Sequence, residues 1–293
     1  MNFPENPAVA IVASLKDKAG MLISSILKSE FGFRPTEKTF DSNPVFSNAK
    51  MELYFTREKQ IFADYVNEIP ADFLVFASRH SSKAGTPSLT VHTIGNWSEA
   101  QLGGKSRQLV STSAFLQRNY LLALAERKRV LGLAHEVTME VTHHGPWLEK
   151  PCIFIEVGSD EEQWGNETAC RAVAGAIANC TSFESTAVPC IGFGGTHYAT
   201  EFTKVAQRLN YAFSFMVPKH ALEFLDEGMV RQMVERTIEK PTLAVLDWKG
   251  LGRQKEKVLG LLDSIGLKRV RSRQLLSPNS GPEKEAGNQS KES

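Results

Sequence analysis

The chain has only four cysteines, Cys152, Cys170, Cys180 and Cys190, each within an apolar or helical stretch and none in CxxC spacing. That argues against a disulfide framework or a thiolate zinc site and points to reduced, buried thiols. No apolar run approaches the roughly 20 residues that cross a bilayer, and the opening MNFPENPAVAIVASL has no basic leader ahead of its apolar run. A cytoplasmic location without membrane association is therefore expected. Charge of one sign is also missing. The formal net charge is +1, so nucleic acid would have to be held by local basic patches. Several catalytic signatures fail as well. His135-Glu136-Val137-Thr138-Met139 has methionine where the HExxH zinc pattern needs its second histidine, and Glu99 stands where a phosphate loop ending in Gly104-Lys105-Ser106 needs its first glycine. No GxSxG elbow exists, which argues against a serine hydrolase of the α/β-hydrolase kind.

What the chain does have is strands alternating with helices. Apolar runs and period-two patterns predict strands over 8–15, 51–56, 73–77, 88–93, 188–191, 211–217 and 242–246. Helical spacing predicts helices over 18–27, 115–130, 222–238 and 254–265. Ser159 with Glu162 three residues on reads as a capping box that launches a helix carrying Trp164, Ala169, Val173 and Ile177. The class is α/β: a single compact domain, with a mostly parallel or mixed central sheet flanked by helices. Residues 1–276 are expected to form it, and the polar stretch 277–293 to be a disordered tail.

The stretch HEVTMEVTHHGPWLEKPCIFIEVGSDEEQW, residues 135–164, carries the strongest local signal. Val137, Met139 and Val141 alternate with Thr138, Glu140 and Thr142, the pattern of a strand with one wet face. The alternation runs into His143 and His144. Adjacent side chains on an extended backbone point opposite ways, so this pair is not expected to share one ion. The next apolar run, Cys152 to Val157, is broken by Glu156. That acid is either part of a site or the buried partner of an arginine such as Arg79 or Arg171. His80, His143, His144 and His197 each fall a few residues past a predicted strand, where ligands collect in α/β sheets.

Ser78-Arg79-His80-Ser81-Ser82 gathers donors at a strand end, and His92 could belong to the same wall. His135 and His220 read as structural. GFGGTHY, residues 192–198, is either a glycine turn or a close approach of main chain to ligand; His197 stands where a dinucleotide fingerprint needs its third glycine. Basic clusters at Lys105/Arg107, Arg127 to Arg129 and Lys268 to Arg273 are solvated faces or a stripe that follows a phosphate backbone.

Taken together, SRHSS with PSLTVHTIGN, MEVTHHGP, IFIEVGS followed by EEQW, GFGGTHY and LDWKGL, in order from about Val9 to Leu267, resemble the archaeal and plant type of D-aminoacyl-tRNA deacylase. The resemblance implies a fold similar to that of peptidyl-tRNA hydrolase and the phosphorylase/hydrolase-like proteins. It also implies a zinc-dependent hydrolase that cleaves the ester joining a D-amino acid to the terminal ribose of tRNA, and in plants an action on aldehyde-modified D-aminoacyl-tRNA. On that footing Zn2+ is expected on His80, His143 and His197. Glu156, His144 and Arg79 are expected in catalysis, and Gly194, Gly195, Ser81 and Trp164 against the substrate. The expected partner is D-aminoacyl-tRNA, with no obligate protein partner and a monomeric state. Two competing readings are a zinc amidohydrolase or nucleoside phosphorylase-like enzyme acting on a small molecule, and a non-catalytic RNA-binding module.

Overall fold

The computed structural model describes residues 3–277; nearly all of the expected tail, 278–293, lies outside them. The chain begins with β1 (Val9–Ser14), α1 (Lys18–Glu30), β2 (Arg34–Phe40), β3 (Asn43–Ser47), β4 (Met51–Thr56) and β5 (Phe73–Arg79). It continues through β6 (Ser88–His92), the short pair β7 (Gly95–Asn96) and β8 (Gln108–Leu109), α2 (Ala114–Leu131), β9 (Glu136–Met139) and β10 (Cys152–Gly158). Next come α3 (Glu161–Trp164), α4 (Glu167–Asn179), β11 (Val188–Phe193), α5 (Thr200–Arg208) and β12 (Tyr211–Val217). The chain closes with α6 (Glu227–Glu235), β13 (Leu243–Leu246), α7 (Lys255–Ser264), β14 (Lys268–Arg271) and α8 (Ser272–Leu275).

The central sheet is mixed and eight-stranded, in the order β2-β3-β4-β1-β5-β10-β6-β9. Its middle strands β4, β1, β5 and β10 are parallel, and β6 runs antiparallel to β10. β1, β5 and β10 are buried on both faces, as their unbroken apolar runs require. A second sheet, β12-β11-β13-β14, is parallel throughout. The two meet edge to edge through the segment after β9, where Val141 N–H donates to His197 O (3.0 Å) and Thr142 N–H to Met216 O (3.0 Å).

Local chemistry explains where the helices start and stop. Asp17 caps α1 by accepting from Gly20 N–H (2.9 Å), and Ser113 caps α2 by accepting from Leu116 N–H (3.0 Å). Gly132 ends α2 with a positive φ of 65°, a conformation that glycine adopts without a Cβ penalty. The predicted capping box is not formed. Asp160 caps α3, a single turn, and Asn166 restarts the helix as α4. Ser159 instead donates to Thr86 O and faces the Tyr198 hydroxyl. The helix predicted over 222–238 is likewise divided: a 3-10 turn at Lys219–Phe224 precedes α6, which Asp226 caps. β2, β3 and β14 had no strand signal because they lie at or beside sheet edges, β2 and β14 largely exposed and β3 half-buried. Their charged residues and prolines are the devices that keep edges from pairing with other chains.

Candidate active site

Five segments deliver side chains to the seam between the sheets. At the end of β5, the Asp17 carboxylate accepts from Arg79 N–H (2.9 Å) and Ser78 Oγ (3.1 Å), tying that strand end to the α1 cap. His80 follows, its carbonyl accepting from the Trp164 indole N–H (2.7 Å). β6 ends at His92. The chain beyond β9 brings Glu140, His143 and His144; it is held by Trp97 Nε1–H to Thr142 O (2.8 Å) and by the Thr93–Thr142 hydroxyl pair (2.7 Å). The loop after β11 adds His197 and Tyr198. Glu156, within β10, closes the floor.

Glu140 corrects the sequence reading of this segment. It stands on the supposedly wet face of the strand and is fully buried. His80 Nδ1 lies 3.1 Å from one of its oxygens and His197 Nε2 2.9 Å from the other, yet neither oxygen has a partner in hydrogen-bond geometry. The rings stand close enough to hold the charge but off the line of an N–H donor. Glu156 is paired with neither arginine. Its nearest charge partners are His80 Nδ1 and His92 Nε2, both at 3.7 Å. Arg171 is taken by Glu30 and Glu167, and the Arg79 guanidinium lies over the Trp164 ring at 4.6 Å.

His143 and His144 also depart from the extended-strand rule. His144 has a φ of +45°, which turns its ring back so that the two centroids are 4.4 Å apart. His92 lies 4.4 Å from His143 and 5.0 Å from His144, ring to ring. In all three, Nδ1 faces a carbonyl oxygen: Thr93 O (3.1 Å), Val141 O (2.7 Å) and Gly145 O (2.6 Å). A carbonyl can only accept, so each Nδ1 carries the proton, and each Nε2 of a neutral ring keeps its lone pair.

The electrostatics divide the histidines into two kinds. Burial alone would lower the pKa of His80, but Glu140 and Glu156 outweigh it and push the imidazole up to about 11. His92 is raised too, Glu156 overcoming its burial. Burial, reinforced by the charge of His92, drives His144 down to about 3 and His143 well below the usual imidazole range. Both carboxylates stay ionised against their own burial because imidazoles surround them.

Three sets of donor atoms lie within 4.8 Å of one another: His92, His143 and His144; His80, Glu140 and His197; and His92, Glu140 and Glu156. The expected trio of His80, His143 and His197 is not one of these sets. His143 belongs with His92 and His144, whereas His80 and His197 share Glu140. A cleft of about 290 Å³ opens onto the cluster, lined among others by Arg79, Ser81, Leu102 and Glu156. Trp164 supports the His80 backbone instead of lining the cleft. The Gly194 amide is unavailable to an oxyanion, because it donates to Val217 O (2.9 Å). Gly195 lines a neighbouring cavity. Tyr198, whose hydroxyl is 3.1 Å from His80 Nε2, had no signal beyond its place after His197. Glu140 did have one, as a lone acid three residues before a histidine pair.

A family profile for D-aminoacyl-tRNA deacylase matches residues 67–270. The D-aminoacyl-tRNA deacylase of Thermococcus onnurineus is 35% identical over 272 residues, covering 89% of this chain and 98% of its own. That of Pyrococcus furiosus is 35% identical over 270 residues, with the same two coverages. A crystal structure of a conserved protein of unknown function superposes with a TM-score of 0.83 at 30% identity, covering 93% of this chain and 98% of its own. All the residues of the imidazole–carboxylate cluster lie inside the matched span, and on this evidence the chain belongs to the D-aminoacyl-tRNA deacylase family of enzymes.

Proposed function

We propose that this chain hydrolyses the ester between a D-amino acid and the terminal ribose of tRNA, releasing both, with water activated at the seam cluster and a zinc ion as cofactor. The observation that carries the reading is Glu140: a fully buried carboxylate whose two oxygens lack hydrogen-bond partners while imidazoles crowd around it. An acid in that state is costly unless a cation completes it. The donor set is imidazole and carboxylate with no thiolate, which suits zinc. His80, Glu140 and His197, or His92, His143 and His144, would hold the ion. The Nδ1–H bonds of the second set to carbonyls are the outer contacts that orient metal-binding imidazoles. Bound there, zinc would lower the pKa of a coordinated water towards neutrality and polarise an ester carbonyl.

The chain's own groups supply the rest. Glu156 reaches the cleft ionised and is positioned to take a proton from the attacking water. His144, neutral because of its burial, offers a second proton acceptor through Nε2. Arg79 is fixed over Trp164 at the cleft wall, where its charge favours the oxyanion that forms as the ester is attacked. An aminoacyl ester is already activated, so positioning water and stabilising that oxyanion suffice. The products are recyclable tRNA and a free D-amino acid kept out of translation.

The test is loss of ester from matched D- and L-aminoacyl-tRNA, with and without a chelator. The expected result is D-selective hydrolysis that stops on chelation and returns with zinc, and that is absent in His143→Ala and His144→Ala variants that still fold. Full activity after exhaustive chelation would remove zinc from the proposal, and no activity on either ester would remove the function.

A further inference from the structure

The cleft is small. At about 290 Å³ it falls just under the ~300–1,000 Å³ typical of ligand pockets, enough for the reacting group but not for the RNA that bears it. A second cavity of about 450 Å³ adjoins it, and His197 lines both. This second space lies over the carboxyl ends of three parallel strands. Gly195 follows β11, Lys219 and His220 follow β12, and Arg253 lies in the turn after β13. Carboxyl ends of parallel strands are where α/β sheets bind ligands. Lys219 and Arg253 are exposed and form no ion pair among the described residues; Glu223 is the one carboxylate in the lining. Three residues before Leu251 of the lining, the Trp248 ring carries the Arg271 guanidinium at 3.8 Å and the Lys255 ammonium at 5.1 Å. Cations beside an aromatic ring are what a single nucleic-acid strand binds, its phosphates to the charges and its bases to the ring.

We propose that this cavity receives the phosphate and ribose of the nucleotide preceding the esterified one, so that the single-stranded RNA end crosses His197 to reach the cleft. The assignment rests on the deacylase reading above. Lys219 and Arg253 hold phosphate oxygens, and the Trp248–Arg271 pair lies along the strand's path outward. The LDWKGL segment and the basic run from Lys268 to Arg273 thereby gain a common role on one edge of the second sheet.

The experiment compares kcat/KM for a D-aminoacyl-tRNA with kcat/KM for the matching 3′-O-D-aminoacyl-adenosine, which has no phosphates, in the wild type and in Lys219→Ala/Arg253→Ala. The wild type should prefer the tRNA, and the double variant should lose at least ~10-fold of that preference through KM. The slope of log kcat/KM for tRNA against log salt should flatten by about 1.4, that is, ~0.7 for each of two single-strand phosphate contacts. Lys219→Arg/Arg253→Lys should restore most of both. Equal loss on the two esters, an unchanged preference, or a wild type indifferent to the tRNA would each overturn the subsite while leaving the deacylase reading intact. A wild type that cleaves neither ester overturns both.

Discussion

Glu140→Gln is the most direct probe of the site, because it removes one charge and hardly any volume. Glu140 lies 3.1 Å from His80 Nδ1, and at an effective dielectric constant of ~20 that attraction is roughly 5 kcal/mol before desolvation is counted. Two features keep the variant folded. Its amide still fits between the two rings, and His80 can release its proton once the carboxylate is gone, so no stranded charge remains. The residual cost is that of imperfectly paired buried polar groups, about 1–3 kcal/mol. For a chain of this size that lowers Tm by about 2–12 °C. If Glu140 completes a zinc site the effect on metal is far larger, since even outer-contact substitutions cost ~10–100-fold in affinity and a direct donor should cost more. The assay is zinc stoichiometry after dialysis against a chelating dye, with deacylation and thermal melting measured on the same samples. A folded variant with its zinc and activity gone is the expected outcome. Retention of both would show that Glu140 is only a buried partner for His80 and His197, and the metal argument would fail with it.

Glu156→Gln should lower kcat by about 10²–10⁴ while zinc stays bound, as expected for a general base; parallel loss of metal would make it a ligand instead. Trp164→Phe keeps most of the face on which Arg79 stacks but deletes the indole N–H bond to His80 O, so it should cost about 1 kcal/mol of stability by urea unfolding. It should also reduce kcat more than KM; an unchanged kcat would mean the His80 backbone needs no such support. His135, outside the cluster, is held below the ordinary imidazole range by burial, with Gln163 beside it only partly offsetting this. The unfolded chain, whose imidazole titrates near pH ~6.5, therefore takes up the proton first as pH falls. Stability that is complete above that pH is lost below it, by at most about 1.4 kcal/mol per pH unit. Urea unfolding at pH 5.5 and 7.5 should show a smaller difference in His135→Gln than in the wild type; equal differences would refute this.

Much of the fold could be read in the order of residues, because burial leaves a period. The two-sided apolar runs of β1, β5 and β10 belong to sheet interiors whatever surrounds them, and the spacing along α1 and α2 marks their buried stripes. The histidines after strand ends were legible for a related reason: strand carboxyl ends are where a chain turns into loops that can face a ligand. Edge strands such as β2 and β14 were not legible, since a charged edge and a charged loop use the same residues.

The site itself was decided by tertiary structure. On a single strand, Glu140 between Thr138 and Thr142 is indistinguishable from the solvated half of an alternating pattern. It is buried because His80, at the end of β5, and His197, after β11, close on that face. The left-handed turn at His144, which brings two neighbouring rings onto one point, is likewise imposed by the loop's contacts. Periodicity records that a face is polar, whereas whether that face meets water or other side chains depends on residues more than fifty positions away along the chain.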